Sequence, residues 1–246
     1  MLKNILIAFI CSLAALPSMA QRPDTARLYG ELRKLYQAYS TGGLRYDFRY
    51  TFAAAHRPER ILDSLSGSVE MSAAGSRMVM GNMEFITNPR YAIVIFKEDK
   101  LMYLYKPGNA AAQDPLSHVR QILESGLVTG VEISKSDRNR RLGILFDSTA
   151  SLKSIELNIL PANGLLSSVR YLVRSEMIEQ GRPLTEKEQQ TYGPLAMVDM
   201  YFLRYGMLPA AGVPVHESAY FTIEEGEFTT TPAFRNYEIF KGSPNL

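Results

Sequence analysis

Leu44-Arg45-Tyr46-Asp47-Phe48-Arg49-Tyr50-Thr51-Phe52 alternates apolar and polar side chains without a break. An extended backbone points successive side chains to opposite faces, so a period of two is the signature of a strand. Leu44, Tyr46, Phe48, Tyr50 and Phe52 are expected to face a core, and Arg45, Asp47, Arg49 and Thr51 to face solvent. A strand apolar on one side only belongs to an antiparallel sheet with one packed face.

Upstream of this strand the period changes. Leu28, Leu32, Leu35, Tyr36 and Tyr39 recur at helical spacing, with Asp24 or Thr25 as N-cap and Gly42-Gly43 as the stop. Downstream, after a polar connection at His56–Arg60, the sequence reads as a meander. Ser66–Ala73 and Arg77–Thr87 flank a turn at Ala74-Gly75, and Tyr91–Phe96 and Leu101–Tyr105 flank Lys97–Lys100. Asp114 and Pro115 open a short second helix with Leu116, Val119 and Leu123 on one side, closed by Gly126.

Strands then resume at Val131–Ser134, Leu142–Phe146, Ile155–Ile159 and Val169–Val173, with Asn163-Gly164 as a type I′ hairpin turn. Glu176–Gly193 is a polar excursion with a helical turn at Thr185–Gln190. Met197–Tyr205 is another strand, Pro209–Pro214 a loop, and Ala219–Ile223, Glu227–Thr231 and Asn236–Phe240 the closing strands. No linker and no internal repeat divides the chain. The reading is one mainly β domain of the α+β class: a large curved antiparallel sheet or incomplete β-barrel, with an N-terminal helix and a short inserted helix over its concave face.

The first residues have another purpose. Lys3, the apolar run Ile5–Leu16 and Ser18-Met19-Ala20 read as a signal peptide, residues 1–20, cleaved before Gln21, so that residues 21–246 form an exported, periplasmic domain. The run is too short for a membrane span, and Pro17 interrupts it. Cys11 is the only cysteine and follows Ile10 rather than a small residue, so no lipid anchor is expected. The mature domain therefore has no thiol for a disulfide, a metal site or a nucleophile.

Charge is nearly balanced, 27 Lys plus Arg against 25 Asp plus Glu, which argues against a nucleic-acid partner. The one basic cluster, Arg138–Arg141, reads as a solvated hairpin tip, or alternatively as a docking point for lipid headgroups or a partner. His56, His118 and His216 stand in no metal-ligand spacing, and no catalytic or phosphate-binding motif is present. Glu224-Glu225-Gly226-Glu227 reads as a turn. No catalytic residue, metal or cofactor is expected.

What stands out is the apolar inventory of the strands. Tyr46, Phe48, Tyr50, Phe52, Met78, Met80, Phe85, Tyr103 and Tyr105 are the candidate ligand-binding residues, with Met83 beside them. Met is flexible and polarisable and suits variable apolar ligands. The plainer reading is that these residues are simply the core of a sheet that faces a helix.

The order of elements resembles the LolA-like family of periplasmic lipoprotein carriers and outer-membrane lipoprotein-sorting proteins. The resemblance rests on the signal peptide, the helix Leu28–Tyr39, the aromatic strand Tyr46–Phe52, Gly67–Val69, Glu84–Asn88, Leu101–Pro107, the Asp114-Pro115 helix and the hairpin Ile155–Val173. It spans residues 25–175, and Tyr192–Leu246 extends beyond it. It implies an incomplete barrel whose concave face binds acyl chains or a lipoprotein without catalysis. The alternatives are a scaffold that docks an envelope protein, and a hydrolase whose residues converge only in three dimensions.

Overall fold

A computed structural model describes residues 24–40, 43–107, 126–136, 139–177, 184–208, 215–243 and 246. Helix α1 (Thr25–Ser40) opens it, capped by Asp24, whose Oδ1 accepts the N–H of Arg27 at 3.0 Å. Its buried stripe is Leu28, Leu32 and Leu35, the helical spacing read from the sequence, joined by one carboxylate, Glu31. Helix α2 (Glu186–Tyr192) stands where the helical turn was expected, held by a capping box in which Thr185 and Glu188 satisfy each other's backbone N–H.

Six strands follow α1: β1 (Leu44–Ala54), β2 (Ile61–Ser72), β3 (Gly75–Met80), β4 (Met83–Thr87), β5 (Ala92–Phe96) and β6 (Leu101–Tyr105). Five more form a second meander: β7 (Val128–Lys135), β8 (Arg140–Phe146), β9 (Leu152–Ile159), β10 (Leu166–Arg174) and β11 (Leu195–Met207). The C-terminal part supplies β12 (Phe221–Glu224), β13 (Glu227–Thr230) and β14 (Glu238–Lys241). Antiparallel pairing of β1 with β11 welds the two meanders into one open, curved 12-stranded sheet, ordered β14-β6-β5-β4-β3-β2-β1-β11-β10-β9-β8-β7.

Several local expectations change. Arg77–Thr87 is two strands, not one, because the chain reverses at Gly81-Asn82 and pairs Met80 with Met83; Gly81 takes φ 58°. Asn163-Gly164 is not a type I′ turn. Only Gly164 has positive φ, and Asn163 instead accepts the N–H of Leu165 at its Oδ1. Positive φ at both central positions occurs at Glu225 and Gly226, between β12 and β13, where the acidic turn was read. That hairpin is separate from the main sheet; of the three closing strands only β14 joins it, and it runs parallel to β6. The inserted helix expected from Asp114, including His118, lies outside the described residues, as do the signal peptide and the loop 209–214.

The sheet uses its two faces differently along its width. On the inner face, which carries α1, Leu28, Leu32 and Leu35 pack on Leu142, Ile144, Leu157, Ile159 and Val169 of β8–β10. At the other end the outer face is covered: Ile86, Ile93, Ile95, Met102 and Leu104 of β4–β6 pack under Val215, Tyr220 and Phe221, with Phe228, Phe234 and Tyr237 around them. Asn88, at the end of β4, clasps this cover. Its side chain donates to the Val215 carbonyl at 2.8 Å and to Glu217 at 2.9 Å, and accepts the N–H groups of Arg90 and Tyr91.

Candidate functional site

The nine nominated residues all project from the inner face, because strand register carries the parity set by Tyr46 across the sheet. Tyr46, Val69, Met78, Phe85, Val94, Tyr103 and Phe240 form one cross-strand row. Phe48, Gly67, Met80, Met83, Phe96 and Leu101 form the next. Tyr105 stands in the row on the other side of the first, opposite Ala92, while Tyr50 and Phe52 lie beyond the second along β1.

Their burial separates two groups. Phe48 is 1% exposed and Tyr46 9%; both belong to a cluster with Leu44, Val69 and Leu165 that also touches Ala38 and Tyr39 of α1. Tyr50, Phe52, Met78, Met80, Phe85, Tyr103 and Tyr105 are half-buried. Phe52 meets Tyr192 of α2 edge-on, and Tyr103 stacks on Phe240 at 5.1 Å. Two depressions open on or beside this face. One, of about 290 Å³, is lined by Val94, Phe96, Leu101, Tyr103 and Tyr105, with Asp99 at its edge. The other, of about 310 Å³, lies at the end of α1 between Ala38, Leu44, Leu165, Tyr205 and Met207.

Thr51 does not face solvent as expected. It is 6% exposed and pairs across β11 with Asp199, which is equally buried and takes a bidentate contact from Arg170 at 2.7 and 3.0 Å. Arg45 and Asp47 of the aromatic strand enter ion pairs on the outer face, in which cross-strand neighbours neutralise each other. Arg45 and Arg77 flank Glu70 there, and Arg77 and Lys97 hold the buried Glu84 at 2.7 and 3.1 Å. Burial pushes the Glu84 carboxyl up, but the hydrogen bonds from Arg77 and Lys97 outweigh it and hold it below the usual carboxylate range.

A bulge in β11 completes the inner face near α1. Arg45 pairs with Gly206 but Asp47 with Leu203, so Arg204 and Tyr205 together oppose Tyr46. Arg204 adopts φ 50° and ion-pairs outside with Asp47. The extra residue turns Phe202 and Tyr205 to the same side, and both rings lie 5.5 Å from that of Tyr46. The hydroxyls of Tyr39 and Tyr205 share a 2.7 Å hydrogen bond, and Tyr205 donates onward to the Leu166 carbonyl. Burial, with Tyr39 and Tyr50 nearby, pushes the Tyr46 hydroxyl up to about 12; burial also raises Tyr39 and Tyr205. These phenols are neutral hydrogen-bonding groups at ordinary pH, unsuited to act as bases.

The remaining candidates disperse. His56 is exposed near Gly193, and His216 caps a short turn through Ser218. Among the described residues no three His, Cys, Asp or Glu side chains gather in a way that could hold a metal ion. The basic cluster is not a simple solvated tip. Arg140 reaches into the molecule to Glu31 at 3.0 Å, Arg141 pairs with Glu156 at 2.7 Å, and Arg138 lies outside the described residues. Glu31, Asp199 and the bulge were not read from the sequence. A lone Glu inside an apolar helical stripe was a usable signal for the first; the others carry none, because burial there depends on long-range strand pairing.

No helix among the described residues is long and apolar enough to cross a membrane. No protein-family model and no curated protein sequence matches the chain. Solved structures are similar to the chain at low identity. An uncharacterised conserved protein from Thermus thermophilus is 12% identical, with a TM-score of 0.42 over 75% of this chain and 91% of the other. A chain of the Pseudomonas aeruginosa MucA/MucB complex is 12% identical with a TM-score of 0.41, the match covering 74% of this chain and 58% of that one. A LolA superfamily protein, NE2245 from Nitrosomonas europaea, is 9% identical with a TM-score of 0.32 over 74% of this chain and 94% of the other.

Proposed function

We propose that this protein binds hydrophobic ligands of the acyl-chain type on the inner face of β1–β6 and acts without catalysis, as a carrier or chaperone for lipid or lipoprotein in the bacterial periplasm, to which residues 1–20 direct it. One observation carries the reading. Apart from Glu84, strands β4–β6 are largely apolar on both faces, a pattern that calls for two covers. The C-terminal segment supplies the outer one. On the inner face Met78, Met80, Phe85, Val94, Phe96, Tyr103 and Tyr105 stay half-exposed beside a 290 Å³ depression.

A flexible, Met-rich and aromatic surface of this kind takes up chains of different shapes. Burial of an acyl chain contributes about 0.8 kcal/mol per methylene, so a long chain binds firmly without any polar recognition. Tyr46 and Phe48, buried against the end of α1, are the floor that holds this face in shape rather than its contact surface.

The test is native mass spectrometry of the mature protein purified from periplasm, with organic extraction of what it carries. A co-purifying lipid or acylated peptide, lost in Tyr103→Asp while circular dichroism stays unchanged, is the expected result. An empty wild-type protein that also fails to take up a fluorescent fatty acid would overturn the proposal.

A further inference from the structure

The structure assigns a second site, for an oxyanion of the phosphate class, to the cationic triangle of Lys34, Lys135 and Arg140 at the junction of α1 with β7 and β8. The three come from separate elements and converge on one carboxylate. Lys34 Nζ lies 3.0 Å and Lys135 Nζ 3.4 Å from Glu31 Oε1, and Arg140 lies 3.0 Å from Oε2. Glu31 is 4% exposed and cannot turn away to another partner. Among the described residues, three positive charges meet one negative there, a surplus of two.

That surplus is built into the framework. Lys135 and Arg140 stand directly opposite each other in the β7–β8 register. Like charges placed so are unfavourable in a sheet. Glu31 offsets one of them. Among the described ion pairs it is also the sole carboxylate that either lysine reaches. The two roles separate by exposure. The Arg140 side chain is 19% exposed and serves as the internal partner of Glu31, whereas those of Lys34 and Lys135 are 60% and 54% exposed and present their ammonium groups to solvent.

A helix-borne and a strand-borne ammonium brought beside one oxygen, both open to solvent, can be bridged by a ligand with several negative oxygens, which a chloride ion or a single carboxylate matches less well. A phosphate group offers that chemistry either free in solution or on a lipid headgroup. The site does not depend on the apolar face of β1–β6 and stands even if that face binds nothing.

The experiment uses the whole mature protein. Inorganic phosphate is titrated in 150 mM sodium chloride and followed by NMR chemical shifts of the Lys34 and Lys135 side chains. The double variant Lys34→Gln/Lys135→Gln keeps the Glu31–Arg140 pair, and Lys187→Gln/Arg235→Gln removes the same charge elsewhere. Saturable binding that falls at least tenfold in the first variant and less than twofold in the second is expected. Sedimentation with vesicles of phosphatidylglycerol and of phosphatidylcholine separates the sources. Capture by the anionic vesicles alone, lost in the first variant, assigns a lipid headgroup, and phosphate binding without capture assigns a soluble phosphate. Absence of saturable binding, or equal weakening in both variants, overturns the proposal.

Discussion

Gly67 sits where β2 passes beneath the Phe48 ring, and a Cβ there would run into that ring and into the Val79 carbonyl. Gly67→Ala is therefore expected to destabilise by about 1–3 kcal/mol, the usual cost of overpacking, measured by urea unfolding. Glu31 gives the sharper test. Burial pushes its carboxyl up, but the hydrogen bond from Lys34 and the charges of Arg140 and Lys135 hold it below the ordinary 4.5. The unfolded chain thus binds the proton more readily than the folded one. The stability this group contributes is present above pH 4.5 and is lost as pH falls through its lower folded value. Glu31→Gln should remove that part of the acid dependence and cost about 3 kcal/mol at neutral pH, since Arg140 loses its buried counter-charge. At this scale the sequence was legible where one alternation governs, as at Tyr46 and Phe48. It was not legible at Thr51, whose burial depends on Asp199, far along the chain on β11.

Individual elements were legible in type more than in extent. Alternation located β1 and β9, the turn at Lys97–Lys100 located β5 and β6, and helical spacing with an aspartate cap located α1. Splitting β3 from β4 needed the Gly81-Asn82 turn to be weighed above the apolar run on either side of it. The β11 bulge left no mark, since Arg204 is an ordinary residue in an uncommon conformation. That conformation is testable. Arg204→Ile should cost about 1–2 kcal/mol, because a β-branched side chain tolerates positive φ poorly. Arg204→Gly should fall well below that, since the relief of strain offsets the lost ion pair with Asp47. Chemical denaturation of the two variants side by side separates backbone geometry from charge.

For the whole molecule, the architecture was readable and its closure was not. An open, mostly antiparallel sheet with an N-terminal helix follows from the succession of short alternating runs. The return of the C-terminal segment to the outer face of β4–β6 does not, because nothing local in Val215–Lys241 indicates which strands it will cover. The continuous apolar runs of β4–β6 hint only that both of their faces need partners. The cover should be cooperative with the sheet. Phe221→Ala, at a side chain 1% exposed, is expected to cost about 3–5 kcal/mol. It should also increase binding of a hydrophobic dye before global unfolding, as the outer face opens.

The parallel pairing of β14 with β6 also sets an order in time. Glu238–Lys241 must find Leu101–Leu104 after the whole second meander has been made. Until then β6 is a bare sheet edge, and Ile86, Ile93, Ile95, Met102 and Leu104 are open to water or to another chain. Contacts this distant in sequence form slowly, because a long loop must close before they contribute. During synthesis the chain passes through a state with sticky surface on both sides of β4–β6, so its yield in a cell should depend on a holding chaperone far more than its final stability suggests.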